Sequence, residues 1–535
     1  MPPQDQIKNW HGIEASLYSL QSLSNFIPND ESHVLPFVMQ LFATLPRTIT
    51  KIGLIINITI GNYATWLGKH PEYLSSLLPF LSEGLNDRKC ASSSAVAIKQ
   101  ICKSCTQQPL GDAVLQLYEG IVEASINISI GGSLMVDLRD ELQVLEGACL
   151  AVTRQLQSDP SMVSTYMNRI VNPIITRLTS LASPSVQCNA KQVVAEIERL
   201  VVIVRFLDPP HSSQEQKFDE DGDEQSARFT LIIPLMAQTW NLLDAVANKF
   251  PTDPNVAEKL CRLHKHAVRG CGKQYISQLN PLMETLVKNF QRSFLSPYLY
   301  AASICISDFS HIPEIVPSLF QMISQLSTVV FAKLKTLDDF TAHPDVVEEF
   351  FYLLGRCMTY CPDPIVTSPL LNSVLQCSVV GMHVQHKDSN KGTLTFLEHT
   401  ISYGISITYN TDFHDPQSGP NAKLCKDALE KAIIVEGQAI VTNLARALLG
   451  DLPLYSHSLD RGSASIAGII YQMNDLCPEL LLKWMSEALQ GAPDPAKTEF
   501  LTSLVQRSST DEYIVKLKNL NGLCERNRKA QNRGR

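Results

Sequence analysis

Long apolar runs are missing from this 535-residue chain, and none approaches the roughly 18 uninterrupted residues that would suggest a membrane span. The opening Met1-Pro-Pro-Gln-Asp-Gln has neither a basic n-region nor an apolar core, so no secretory signal is expected. Without secretion, the sequons at Asn57 and Asn127 carry no meaning. The 14 cysteines then read as reduced, buried, small apolar residues of a cytosolic or nuclear protein. Charge is scarce too. Only 18% of residues are charged and the formal net charge is -8, which disfavours general nucleic-acid binding and leaves room for a local basic patch.

Catalytic signatures are equally absent. There is no G-x-S-x-G, no Walker loop, and no G-x-G-x-x-G after a strand. Cys102 and Cys105 form a CxxC without the second pair that a zinc ribbon needs. Cys357 and Cys361 stand four apart, as core positions of a helix do, and His383 and His386 lack a partner set. The acidic run Asp219–Asp223 places Gly222 fourth and Thr230 twelfth, where an EF-hand needs Gly sixth and Glu twelfth. No catalytic residue, cofactor or metal site is therefore expected, and the chain reads as a binding protein.

What the chain does have is helical period, repeated. Val193, Ile197, Leu200, Val201 and Val204 fall on one face of a helix, with Lys191, Glu198 and Arg205 away from it. Similar patterns recur at 6–27, 33–44, 49–68, 72–84, 91–105, 110–126 and 133–155, then resume from 229–249 through 478–489. Proline-containing breaks separate them, because proline suits the first turn of a helix but not its interior. Many helices joined by short turns, without a tetratricopeptide or ankyrin consensus, predict an all-α HEAT-repeat superhelical solenoid; a very large irregular bundle is the competing architecture. The expected organisation is helical repeats over 1–207, an acidic flexible loop over 208–226, and helical repeats over 227–509. A terminal helix with a basic, disordered tail follows over 510–535.

One helix, expected at 255–270, stands out. At 100° per residue, Arg262, Lys265, His266 and Arg269 fall within about 120° of arc ending at Lys259. Leu260, Leu263, Ala267 and Cys271 form the packing face, Glu258 dilutes the basic row, and Lys273 extends it beyond a helix end expected at Gly270 to Gly272. Exposed helices usually interleave both signs, and a nearly all-positive row in an acidic chain suits a phosphorylated or acidic extended peptide. Phosphates on alternate residues of an extended chain recur every ~7 Å, close to the spacing along such a row.

Val256-Ala-Glu-Lys-Leu-Cys-Arg-Leu-His-Lys-His-Ala-Val-Arg-Gly-Cys-Gly-Lys273 resembles the arginine-rich helix of the transportin-SR family, importin-β-superfamily import receptors for serine/arginine-rich splicing factors. Asn9-Trp-His-Gly-Ile-Glu-Ala-Ser-Leu-Tyr-Ser-Leu, His343-Pro-Asp-Val-Val-Glu-Glu-Phe-Phe350 and Leu452-Pro-Leu-Tyr455 are similar to further segments, in the same order, so the resemblance runs from near 8 to about 490. It implies a receptor without enzymatic activity that shuttles between cytoplasm and nucleus and binds phosphorylated arginine-serine domains. Nucleoporins are further implied partners, and no direct nucleic-acid or membrane contact is implied. Lys259, Arg262, Lys265 and Arg269 are the implied phosphate-binding residues, although the family has arginine where Lys259 and Lys265 stand. His266, Lys273, Glu348 and Glu349 are implied secondary cargo contacts. The chain is similar to the C-terminal, cargo-binding half, so the family's RanGTP response is expected to be weak or missing. The alternative is a HEAT scaffold or regulatory subunit of another complex, with no need of the basic row.

Overall fold

Apolar stripes at helical period leave one solution: each helix buries its stripe against its neighbours. The computed structural model describes residues 10–42, 44–45, 49–105, 110–127, 136–155, 160–206, 223–412, 421–455, 459–460 and 464–533. Among these, regular structure is helical, with no strand. The chain is an all-α helical-repeat solenoid of HEAT type, and it divides into two units: Met1–Phe250 with Arg262–Cys271, and Pro251–Cys261 with Gly272–Arg535.

The first unit contains α1 (Trp10–Leu23), α2 (Leu35–Phe42), α3 (Thr50–Asn62), α4 (Ala64–Lys69), α5 (Leu74–Leu85) and α6 (Ala91–Ser104). They are followed by α7 (Gly111–Asn127), α8 (Leu138–Gln155), α9 (Pro160–Ala182), α10 (Ala190–Phe206) and α11 (Asp223–Lys249). Helices α3, α6, α8 and α10 stack side by side in one row, while α5, α7 and α9 each pack on the row helix that follows. Close approach within the row needs a missing side chain. A Cβ added to Gly61 of α3 would lie 3.3 Å from Ala97 Cα on α6.

A buried ion network joins α8, α9 and α10. Arg199 donates to both carboxylate oxygens of Glu141, at 2.7 and 2.6 Å, and lies 3.1 Å from Glu196. Arg177 takes Glu196 from the other side, at 2.8 and 3.0 Å. Burial works against the Arg199 charge, but the hydrogen bonds to Glu141 and the field of both carboxylates outweigh it and raise its pKa. Removing one partner of such a pair costs about 3–5 kcal/mol. At the end of the unit, Lys249 Nζ donates to three carbonyls, Leu181 O, Ser183 O and Val186 O, at 2.7, 2.8 and 2.7 Å.

Helix α12 (Pro254–Cys271) carries the division between the units within its length. The second unit continues with α13 (Ile276–Ser293), α14 (Pro297–Phe309), α15 (Val316–Lys333), α16 (Leu337–Ala342), α17 (Pro344–Tyr360) and α18 (Asp363–Val366). Beyond these come α19 (Leu370–Gly381), α20 (Lys387–Asp412), α21 (Ala422–Leu449), α22 (Ile466–Leu476), α23 (Pro478–Ala488), α24 (Asp494–Val505) and α25 (Thr510–Arg533). Here α14, α17, α20 and α22 make the row, and α19, α21 and α23 lie in sequence beside it. Gly392 lets α20 meet α17: a Cβ there would sit 2.9 Å from Glu348 O.

Several expectations change. Helix α9 was not among the expected segments; the buried Ile170, Ile174 and Leu178 hold the turn where Pro173 removes a backbone bond. Of the acidic loop 208–226, residues 208–222 lie outside the described residues, and α11 already starts at Asp223. The tail expected to be disordered is helical to Arg533. It continues a helix anchored by Asn521 Nδ2 to Leu448 O (2.9 Å), by Tyr513 OH to Ala467 O (3.2 Å) and by Arg528 to the Gly450 carbonyl. Finally, α21 is long and apolar enough to cross a membrane, yet Cys425, Leu429, Val441, Leu444 and Leu448 are buried as those of a core helix.

Candidate partner-binding surfaces

The basic row follows from how α12 buries the rest of its circumference. Val256, Ala257, Leu260, Cys261, Leu263, His264, Ala267, Val268 and Cys271 are all buried, a wider face than the four positions expected. Cys261 and Val268 extend it to the far side, so the polar residues are compressed into the remaining arc. Arg262 is exposed there, with Lys265, His266 and Arg269 half-buried beside it. Lys259 differs from them: its ammonium lies 3.0 Å from Glu258 and its side chain is only 16% exposed. The helix runs past Gly270 to Cys271. Gly272, at φ +50°, makes the break that only glycine adopts at little cost, and Lys273 stands exposed in the 3-10 turn after it.

The electrostatics are read out by the histidines. Burial, then the fields of Lys265, Arg205, Arg262 and Arg269, push the His266 pKa down to about 4, so it is neutral at physiological pH. Arg205 comes from α10, and the sequence pattern gave no sign that it joins this group. His264 is wholly buried, edge-on to Trp240 at 5.5 Å, and burial alone holds its pKa at about 4.

An acidic counterpart lies in the second unit. Glu348 and Glu349 are half-buried on α17. Burial, then Glu348 and Asp345, raise the Glu349 pKa to about 7 against the pull of Arg356. Burial and Asp388, with Asp345, also raise Glu348, while His386 and Lys391 oppose. Asp388 on α20 and Asp345 at the start of α17 thus join the expected pair, and long-range packing alone reveals the former. Cys102, Cys105, Cys357 and Cys361 are buried, as core positions are.

The chain is similar to known proteins over most of its length. Residues 32–117 match the family profile described as the Transportin-3/Importin-13 third TPR domain, and residues 232–334, which include α12, match the fourth. The chain is 23% identical over 544 residues to Transportin MOS14 of Arabidopsis thaliana, covering 98% of this chain and 52% of that one. It is 23% identical over 528 residues to Importin-13 of Rattus norvegicus, covering 95% and 50%. A solved structure of importin-13 in its cytosolic state superposes with a TM-score of 0.77 at 17% identity, over 98% of this chain and 56% of that chain, a likeness of fold. The chain spans about half the length of the relatives it matches. These relatives are transport receptors and not enzymes, in keeping with a sequence that proposes no catalytic constellation. Through the two matched segments and similarity along nearly the whole of this chain, it is similar to nuclear transport receptors of the importin-13 and transportin-3 kind.

Proposed function

We propose that this chain is the cargo-binding part of a nuclear transport receptor that captures phosphorylated arginine-serine segments and shuttles with them between cytoplasm and nucleus. The observation that carries the reading is the cationic face of α12, where exposed Arg262 stands beside half-buried Lys265 and Arg269; burial first, and then the fields of Lys265, Arg205 of α10, Arg262 and Arg269, keep His266 between them neutral. Clustered cations of this kind favour a phosphate dianion. Each well-formed charge-assisted contact contributes about 1.5–3 kcal/mol. Lys259, tied to Glu258, and Lys273, beyond the helix end, lengthen the row. The arginines of the same cargo have partners of opposite sign in Glu348 and Glu349.

The test is binding of a phosphorylated arginine-serine peptide, against its unphosphorylated form, to the chain and to an Arg262→Glu/Arg269→Glu variant. The reading expects phosphate-dependent binding that the variant loses. Equal binding of both peptide forms, or equal binding by both proteins, would remove the basic helix from the mechanism and favour a scaffold of another class. Nucleoporin contact and a weak RanGTP response belong to the same reading, and a RanGTP pull-down as tight as that of a full-length receptor would overturn the latter.

A further inference from the structure

The first two helices of the chain carry almost no charge. Between Lys8 and Arg47 there is no lysine or arginine, and Glu14 is the one acidic residue within α1 and α2. The carboxylate of Glu31, in the turn between them, is taken up by the backbone N–H groups of His33, Val34 and Leu35 at 2.8, 2.8 and 2.7 Å. Large apolar side chains nevertheless stand in water here. Phe26 is 81% exposed and Phe37 68%, and Tyr18, Leu23, Val34 and Leu41 are exposed as well. The last helix, α25, shows the ordinary solution, with Asp511, Glu512, Lys518, Arg526 and Lys529 exposed. A helical array needs such a polar outer face on its terminal helices to stay soluble, and α1 and α2 lack one.

The two helices expose different shapes. Helix α1 packs on α3 and α2 on α5, burying Leu17 from the first and Leu35, Met39 and Phe42 from the second. On α2 the exposed Val34, Phe37 and Leu41 are spaced i, i+3, i+7 and make one bulky row. On α1 the side turned from Leu17 carries Gly12, Ala15, Ser19 and Ser22, all exposed and all small, at i, i+3, i+7 and i+10. Ser19 and Ser22 donate their hydroxyl protons to Ala15 O (3.0 Å) and Tyr18 O (2.9 Å), within the helix itself. One helix thus offers knobs, and the other a shallow row that another helix can approach closely.

We propose that this face pairs with the same face of a second copy of the chain, α2 of each lying along α1 of the other about a two-fold axis. An isologous contact sets residue i against j and j against i, so a surface that is bulky on one half and small on the other complements itself. A single foreign helix fills the small row and leaves the bulky row in water; a second copy covers both. The scarcity of charge serves the same pairing, because side chains near a two-fold axis meet their own kind and like charges would repel. With about 150–250 Å² to bury per aromatic side chain, the six apolar residues and the small row offer on the order of 800 Å². That is about the share each partner brings to a standard-size complex, and more than the roughly 300–600 Å² patch of a typical monomer. The contact goes beyond the phosphate-binding reading and does not involve the basic row.

The test is the mass of the whole chain by sedimentation equilibrium over about 0.5–50 µM, which reaches the weak end of what interfaces of this size give. The expected result is twice the 59.4 kDa of one chain. Phe37→Glu with Leu41→Glu should raise the dimer dissociation constant by at least about 100-fold. Ala15→Trp, which fills the small row, should raise it by at least about 10-fold. All three positions are exposed, so the fold is kept, and matching thermal melts check that. Val505→Glu with Val515→Glu, exposed apolar residues elsewhere, should leave the dimer unchanged. A monomer across the whole range, a dimer indifferent to Phe37→Glu with Leu41→Glu, or one tightened by Ala15→Trp would overturn the proposal. So would dissociation of the dimer by the part of Importin-13 of Rattus norvegicus outside its match to this chain, because the face would then belong to a foreign helical array.

Discussion

The faces of α12 and α17 are electrostatic opposites built by one rule. On α12, burial and clustered cations drive the proton off His266; on α17, burial and clustered carboxylates hold a proton on Glu349 at a pKa of about 7. Each face crowds like charges at the edge of a packed helix, where water screens them poorly. Each is therefore relieved by a ligand of the other sign. A polyanion on α12 should let His266 take up a proton, and a guanidinium on α17 should let Glu349 release one.

Charge reversal tests this contrast most sharply. Arg262→Glu with Arg269→Glu should weaken phosphopeptide binding by at least about 100-fold, two charge-assisted contacts being lost. Glu348→Gln with Glu349→Gln should weaken it far less. Equal effects in titration calorimetry would break the contrast. Next in size is Glu349→Gln alone. The folded pKa lies above the unfolded one, so the stability from this group is present below about pH 4.5 and is lost as pH rises through 7. Urea unfolding should find the variant about 1–2 kcal/mol more stable than the parent at pH 8, relative to their difference at pH 4.

The histidines run the other way. The folded pKa of His264 is depressed to about 4, so its contribution is present above the unfolded value near 6.5 and is lost as pH falls towards 4. Thermal melts of His264→Phe should lose about 1 kcal/mol less stability between pH 7 and 5.5 than the parent does. The smallest effect is expected from Lys265→Arg. A guanidinium offers a fork where lysine offers a point charge, so phosphopeptide affinity should rise by about 3–10-fold. No gain would mean that field, and not geometry, makes the site.

The stripe Val193, Ile197, Leu200, Val201 and Val204 was legible from spacing alone, and all five are buried. The same helix also buries Glu196 and Arg199, which no local rule anticipates, because their partners Glu141 and Arg177 arrive from other helices. The span of α12 was legible to within one residue at either end, since period and glycine punctuation are local signals. Arg205 and Asp388 were not, since each joins its cluster from another helix. Helix α9 keeps its Pro173 in the interior because tertiary burial of its stripe compensates a penalty that is local.

Lys249 has a consequence for how the first unit opens. Its ammonium is shared among the carbonyls of Leu181, Ser183 and Val186, which lie 68, 66 and 63 positions away in the sequence. Lys249 therefore pins the turn after α9 from a helix two later in the chain. Acetylating that single lysine would discharge the ammonium and leave one N–H for three acceptors. The turn would then fray as a unit while the rows beside it stay closed.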